Sequence, residues 1–191
     1  MADEMLKLND YRDVSQVGID TGKRDQLFEA QTEACVMWST SDGWPVGVLH
    51  RFIWANDRFW ITCASQRKRV PALTRRPKSC ISISSEGTYL GGDINVVAKT
   101  LAIVHDVAEN PELKAWVYPA MAARQRRGDV DAQKEFTRRI DTPGRTIIEL
   151  IPQSWITYDG NRLELALQGK PYDPMMRKAS RNILIDPSLE N

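Results

Sequence analysis

The feature that most constrains the fold is a succession of β-rich runs separated by turn residues, too numerous and too short to be left with open edges. Ala34–Thr40 is one such run, Ser41-Asp42-Gly43 supplies turn chemistry, and a second run extends from Trp44 to Trp54. Ala55-Asn56-Asp57 turns again into Arg58–Ala64. Ser79–Ser84 alternates apolar and polar side chains, as a strand with one wet face does, and Asp93–Val104 is rich in β-branched residues. Arg145–Ile151 and Ser154–Tyr158 complete the set. A closed antiparallel barrel is the natural way to hide so many strand edges.

Helical patterns interrupt this series. Lys23–Glu33 reads as a short helix with Leu27 and Phe28 turned inward, and Asn110-Pro111-Glu112 is a helix start with Asn as cap and Pro in the first turn. Leu113, Trp116 and Val117 form its inward stripe, Tyr118-Pro119 is expected to break or kink it, and a third helix is expected over Asp129–Ile140. Arg124, Arg126 and Arg127 fall in a last helical turn, where cations complement the dipole and read as a solvated end. The expected fold is therefore mainly β with helices, an α+β domain. It forms one domain over 1–191, with a loosely packed arm at 1–22, a helical insert at 106–140 and a tail at 160–191 that lies along the surface or reaches a partner chain.

Between the third and fourth runs lies Thr62-Cys63-Ala64-Ser65-Gln66-Arg67-Lys68-Arg69-Val70-Pro71-Ala72-Leu73-Thr74-Arg75-Arg76-Pro77. It leaves a strand through small polar residues and enters a short helix whose first turn is marked by Pro71. Arg67, Lys68 and Arg69 then gather near the helix start, with the hydroxyls of Thr62 and Ser65 upstream. Such a junction suits an anion. The competing explanation, a solvated basic face, is weakened by Val70, Leu73 and Pro77, which give the helix an apolar side that packs and holds the cations still.

Charge confines this anion to one place. Lys and Arg number 26 against 25 Asp and Glu, a net of +1, so a broad basic footprint for nucleic acid or a membrane surface is not expected. Cys35, Cys63 and Cys80 are three dispersed cysteines without metal-ligand spacing, and each sits in a strand run where a buried reduced thiol is the ordinary outcome. With no secretory n- and h-region pattern and no membrane-length apolar stretch, a cytoplasmic protein without a metal is expected. His50 and His105 are the only histidines, which disfavours a histidine metal cluster; His105 reads as structural, and His50 is either a half-buried structural group or a hydrogen-bonding partner for a ligand.

The order of these pieces resembles the flavin-binding split β-barrels, the pyridoxamine 5′-phosphate oxidase-like family. Asp42-Gly43-Trp44-Pro45, Trp54-Ala55-Asn56-Asp57-Arg58-Phe59-Trp60 and above all Thr62–Pro77 carry the resemblance, which extends from about Ala30 to Tyr158. It implies an antiparallel split β-barrel with a helical insertion, and a homodimer in which both chains wall a shared site for FMN or, alternatively, the deazaflavin F420. It also implies that the Ser65-Gln66-Arg67-Lys68-Arg69 segment, with Thr62, holds the cofactor phosphate, and that His50-Arg51-Phe52 runs along the flavin with Arg51 as a further phosphate cation. Pro71-Ala72 stands where the family has arginine-asparagine, and the insert is longer than in the simplest members.

The implied activity is a flavin-dependent oxidoreductase passing a hydride to or from a small organic substrate, which leaves no side chain that must be catalytic. The alternatives are a non-catalytic flavin or F420 binding or storage protein, and a nucleic-acid-binding barrel, which the near-neutral charge opposes.

Overall fold

The computed structural model describes residues 14–170. These contain seven strands, β1 (Glu33–Ser39), β2 (Pro45–Arg51), β3 (Ile53–Ala55), β4 (Arg58–Ala64), β5 (Lys78–Ser84), β6 (Ile94–Asp106) and β7 (Arg145–Asp159). The helices are α1 (Thr21–Ala30), α2 (Arg69–Arg75), α3 (Pro111–Gln125), α4 (Val130–Ile140) and α5 (Gly160–Leu167), with a short 3-10 turn at Val14–Val17. The strands form one sheet in the order β2-β1-β5-β6-β7-β4-β3. Neighbours such as β1/β2, β1/β5, β3/β4 and β4/β7 pair antiparallel. An α+β fold built on antiparallel strands is thus what the alternating runs specify.

The run expected from Trp44 to Trp54 is two strands. β2 pairs with β1 as far as Arg51 opposite Glu33, and β3 then pairs with β4 from Ile53 opposite Trp60. The exchange of partners occurs at Phe52, whose amide donates to the Thr32 carbonyl at 3.4 Å and whose side chain is fully buried. The two ends of the sheet are therefore consecutive in the chain. No hydrogen-bonded ladder joins β2 to β3, so the sheet is split there, while sequence periodicity runs on unbroken because Phe52 keeps the inward phase. β3 and β4 are joined by Asn56 and Asp57 at φ of 55° and 58°. Those are the left-handed conformations that a two-residue hairpin matched to strand twist requires, and Asn and Asp tolerate them.

The two runs expected at Arg145–Ile151 and Ser154–Tyr158 are one strand. Pairing of β7 with β4 ends at Leu150 opposite Phe59, so the missing N–H of Pro152 breaks no bond in that ladder. Likewise α3 continues through Pro119. Its flanking residues Val117, Tyr118, Met121 and Ala122 are buried with Ile53, Trp60, Phe136 and Ile147, and this packing holds the helix across the lost hydrogen bond. Asn110 precedes α3 but its side chain does not cap it; Nδ2 donates instead to the Asp106 carbonyl at 2.8 Å.

The described chain groups into two compact units. One comprises the chain through Gln31, Ile83–Val97 and the chain from Ile156; the other comprises Thr32–Ser82 and Ala98–Trp155. Within the first, Asp20 caps α1 by accepting from the Lys23 amide at 2.8 Å, and the Lys23 ammonium meets Asp159 at 2.7 Å in a buried ion pair. Asp159 also caps α5 through the amides of Asn161 and Arg162, and Arg162 donates to the Gly18 carbonyl at 3.1 Å. The arm and tail expected at 1–22 and 160–191 are thus packed where described, with Val17 fully buried. Residues 1–13 and 171–191 lie outside the described residues. No helix among the described residues is long and apolar enough to cross a membrane.

Candidate functional site

The second unit holds the basic junction. β4 ends at Ala64, the chain turns through Ser65–Lys68, with the Arg67 amide donating to the Ala64 carbonyl at 3.1 Å, and α2 begins at Arg69. α2 is anchored by buried Val70, Ala72 and Leu73, and by Arg76 after its end, which donates through Nε and Nη2 to the Ser39 carbonyl. The apolar face expected from Val70 and Leu73 is therefore real, while Pro77 is exposed. The helix spans only seven residues and has no side-chain cap, and the Val70 amide is spent on the Arg67 carbonyl at 2.9 Å. Side-chain cations, rather than a helix dipole, define this place.

Those cations surround a cavity of about 650 Å³ lined by Gln66, Arg67, Lys68 and Arg69, with Trp38 of β1 and Val48 of β2 on its apolar side. The Arg69 guanidinium lies 5.6 Å over the Trp38 ring. Its Nη1 is 2.5 Å from Nε2 of His50, which shares its strand face with Val48. Burial, then the charges of Arg69, Arg145 and Arg67, push His50 down to about 4, so its imidazole is neutral at neutral pH. Arg145, at the start of β7, thereby joins the same field.

Of the nine residues singled out in the sequence, the fold brings together His50, Gln66, Arg67, Lys68 and Arg69. Arg51 and Phe52 are not brought there. Arg51 points its guanidinium at the Phe136 ring, 5.8 Å from the centroid, and Phe52 is fully buried in edge contact with Phe59. Strand alternation explains both, because His50 and Arg51 must face opposite sides and the chain changes partners at Phe52. Thr62 donates its hydroxyl to the Thr146 carbonyl at 2.9 Å, and Ser65, exposed, donates its amide to the Gly144 carbonyl at 2.7 Å. Trp38, Val48 and Arg145 carry no signal in their local sequence; only the β1/β2 pairing and the arrival of β7 beside β4 place them. The second basic cluster is not simply solvated, since Arg124 lies over Phe52 at 5.7 Å and Arg126 over Phe136 at 6.0 Å.

A second cavity of about 620 Å³ is lined by, among others, Met37, Trp38, Pro45, Cys80 and Leu101. Trp38 borders both. Leu49 of β2 is 71% exposed. Elsewhere in the unit, buried Glu149 accepts from His105 Nε2 at 2.9 Å and from Arg58, beneath Trp60, which stacks on His105 and meets Trp116 edge-on. His105 is thus tied to a buried carboxylate. Among the described residues no cluster of His, Cys, Asp and Glu is arranged to hold a metal.

No family model and no curated protein matches the sequence. Solved structures match its fold. A conserved hypothetical protein from Mycobacterium tuberculosis superposes with a TM-score of 0.65 at 14% identity, over 84% of this chain and 93% of that one. A putative pyridoxamine 5′-phosphate oxidase from Listeria innocua gives 0.52 at 14% identity, over 71% and 95%, and an FAD-binding protein from Mesorhizobium loti gives 0.53 at 10% identity, over 73% and 94%. The chain has the fold of the pyridoxamine 5′-phosphate oxidase-like split barrels.

Proposed function

We propose that the cavity beside α2 holds the phosphate of a flavin-type cofactor, FMN or alternatively F420, and that the protein is an oxidoreductase acting on a small organic molecule. The observation that carries this reading is the convergence of Arg67, Lys68 and Arg69 on one cavity that the Trp38 indole and Val48 also line. A phosphate takes charge-assisted donors, and an aromatic ring system takes a flat apolar wall; this donor set offers both. Among the described residues, no acidic side chain lines the cavity to compete for the cations. The likeness of the fold to an FAD-binding protein supports the same reading. When bound, the flavin supplies the hydride chemistry, and the chain's residues bind and orient it.

The cofactor site is shared in a homodimer. Support comes from exposed Leu49 of β2 and from the apolar cavity bordered by Met37, Cys80 and Leu101, which adjoins the cationic cavity through Trp38. A second copy over these residues extends the wall that Trp38 begins. Binding without turnover is the alternative function. It is favoured by His50, which adjoins the cavity through Arg69, being neutral and committed to that arginine.

Spectroscopic titration of the purified protein with FMN, F420 and riboflavin, with its mass measured by sedimentation, tests the reading. The expected result is stoichiometric uptake of a phosphorylated cofactor by a dimer. A monomer that takes up neither cofactor would overturn it. Rapid reoxidation of the reduced cofactor by a small oxidant separates the enzyme from the storage protein.

A further inference from the structure

We propose that His50 is a positioning residue whose imidazole fixes the Arg69 guanidinium against Trp38, presetting a full positive charge at the cavity wall without neutralising it. The inference rests on the flavin reading for its ligand. An arginine is a donor only, so Nε2 of His50 accepts the 2.5 Å bond from Nη1 and the ring proton resides on Nδ1. Two arginines elsewhere are held by acids, Arg24 by Asp25 and Arg138 by Glu135, each through the Nε and Nη2 edge, while Arg76 and Arg162 rest on backbone carbonyls. A carboxylate orients a guanidinium but cancels its charge. A neutral imidazole orients it and leaves the charge for the ligand.

The surroundings agree. Arg69 has no acidic partner among the described residues, its Nε is buried and unpaired, and its only other contact of note is the Trp38 face. The bond to His50 uses Nη1 and leaves Nη2 for a bound oxyanion. His50 itself is set by strand alternation on β2, two residues from Val48 of the cavity wall. Its depression to about 4 keeps the acceptor lone pair available across the neutral range.

The test uses the full chain with His50→Gln, His50→Leu, Arg69→Ala and the double variant His50→Leu/Arg69→Ala, each titrated with FMN and riboflavin at pH 7. Glutamine supplies a carbonyl acceptor without a titrating group; leucine supplies none. His50→Leu should weaken FMN roughly tenfold, His50→Gln no more than about threefold, and riboflavin should be unaffected. In the Arg69→Ala background His50→Leu should add less than about twofold, because a residue that acts only through Arg69 has nothing left to position. Equal losses in both backgrounds, or a glutamine variant as weak as the leucine one, overturn the proposal. Nitrogen NMR of the imidazoles supplies a readout independent of the cofactor. His50 should carry its proton on Nδ1 at pH 7 and change signature in Arg69→Ala. A protonated ring or the opposite tautomer overturns the proposal even if FMN binds. Failure of FMN to bind the wild type while the NMR signature holds refutes the flavin reading instead, and inorganic phosphate then replaces FMN in the same cycle.

Discussion

The two histidines of this chain sit in opposite electrostatic settings. His105 bonds through Nε2 to Glu149, whose carboxylate also takes Arg58, so an acid is matched by its donors and the cluster is roofed by Trp60 and Trp116. His50 bonds through Nε2 to an arginine, in a field of further cations from Arg67 and Arg145. The residue type, the ring atom and the half-buried strand position are alike. The balance of charge is not, and it distinguishes a strut from a site. A matched cluster balances its own charges without a ligand, whereas gathered like charges repel and are offset only when an anion arrives.

The sharpest way to break this contrast is to remove the unmatched charges. Arg67→Ala with Lys68→Ala should weaken FMN by about 3–6 kcal/mol, two charge-assisted bonds, with riboflavin nearly untouched. Arg138→Ala, on the exposed face of α4, is the control and should leave both ligands alone. Titration of all three proteins decides it, and equal loss for FMN and riboflavin would place the phosphate elsewhere.

Removing the matched acid should act on stability instead. Glu149→Ala leaves His105 and the solvent-exposed Arg58 without their shared acceptor and should cost about 2–3 kcal/mol in urea unfolding, with little change in FMN affinity for the protein that remains folded. A large drop in affinity at unchanged stability would reverse the roles assigned to the two clusters.

Acid separates them next. His50 stays neutral down to about 4 in the fold, held by burial and by Arg69, Arg145 and Arg67, while in the unfolded chain it takes up a proton near 6.5. Unfolding therefore binds a proton between those values. Its contribution is full above about pH 6.5, is lost as pH falls toward 4 and is flat below. Allowing for its partial exposure, the loss is on the order of 2 kcal/mol. Denaturation of wild type and His50→Gln at pH 7.5 and pH 4.5 isolates it, since the glutamine variant should lose less on acidification. Identical pH dependence in the two proteins would mean that neither burial nor the cations hold His50 below its ordinary range. The smallest effect is expected from Trp38→Leu, which removes the face under Arg69 and should weaken FMN by about 0.5–1 kcal/mol in the same titration. A loss as large as that of the double cation variant would make the indole, not the charges, the principal ligand contact.

Much of the architecture was legible in local sequence because its causes are local. Hydrophobic alternation located most strands, Asn56-Asp57 marked the β3/β4 turn through its left-handed conformations, and the run from Ser65 to Val70 announced a strand-to-helix junction rich in cations. What local sequence misjudged has non-local causes. Phe52 separates two strands only because β2 pairs with β1 while β3 pairs with β4, and Pro152 and Pro119 are tolerated only because a ladder ends at Leu150 and a core packs around Tyr118.

The same division holds at the site. Sequence by itself determined that Gln66, Arg67, Lys68 and Arg69 lie together, since residues adjacent in a turn cannot be far apart. Tertiary structure alone decided that His50 reaches Arg69 while Arg51 turns away to Phe136, and that Trp38 and Val48 supply the apolar wall. A strand sends consecutive side chains to opposite faces, and which face meets the cations depends on strand pairings between residues far apart in the chain, whose energies no short window of sequence contains.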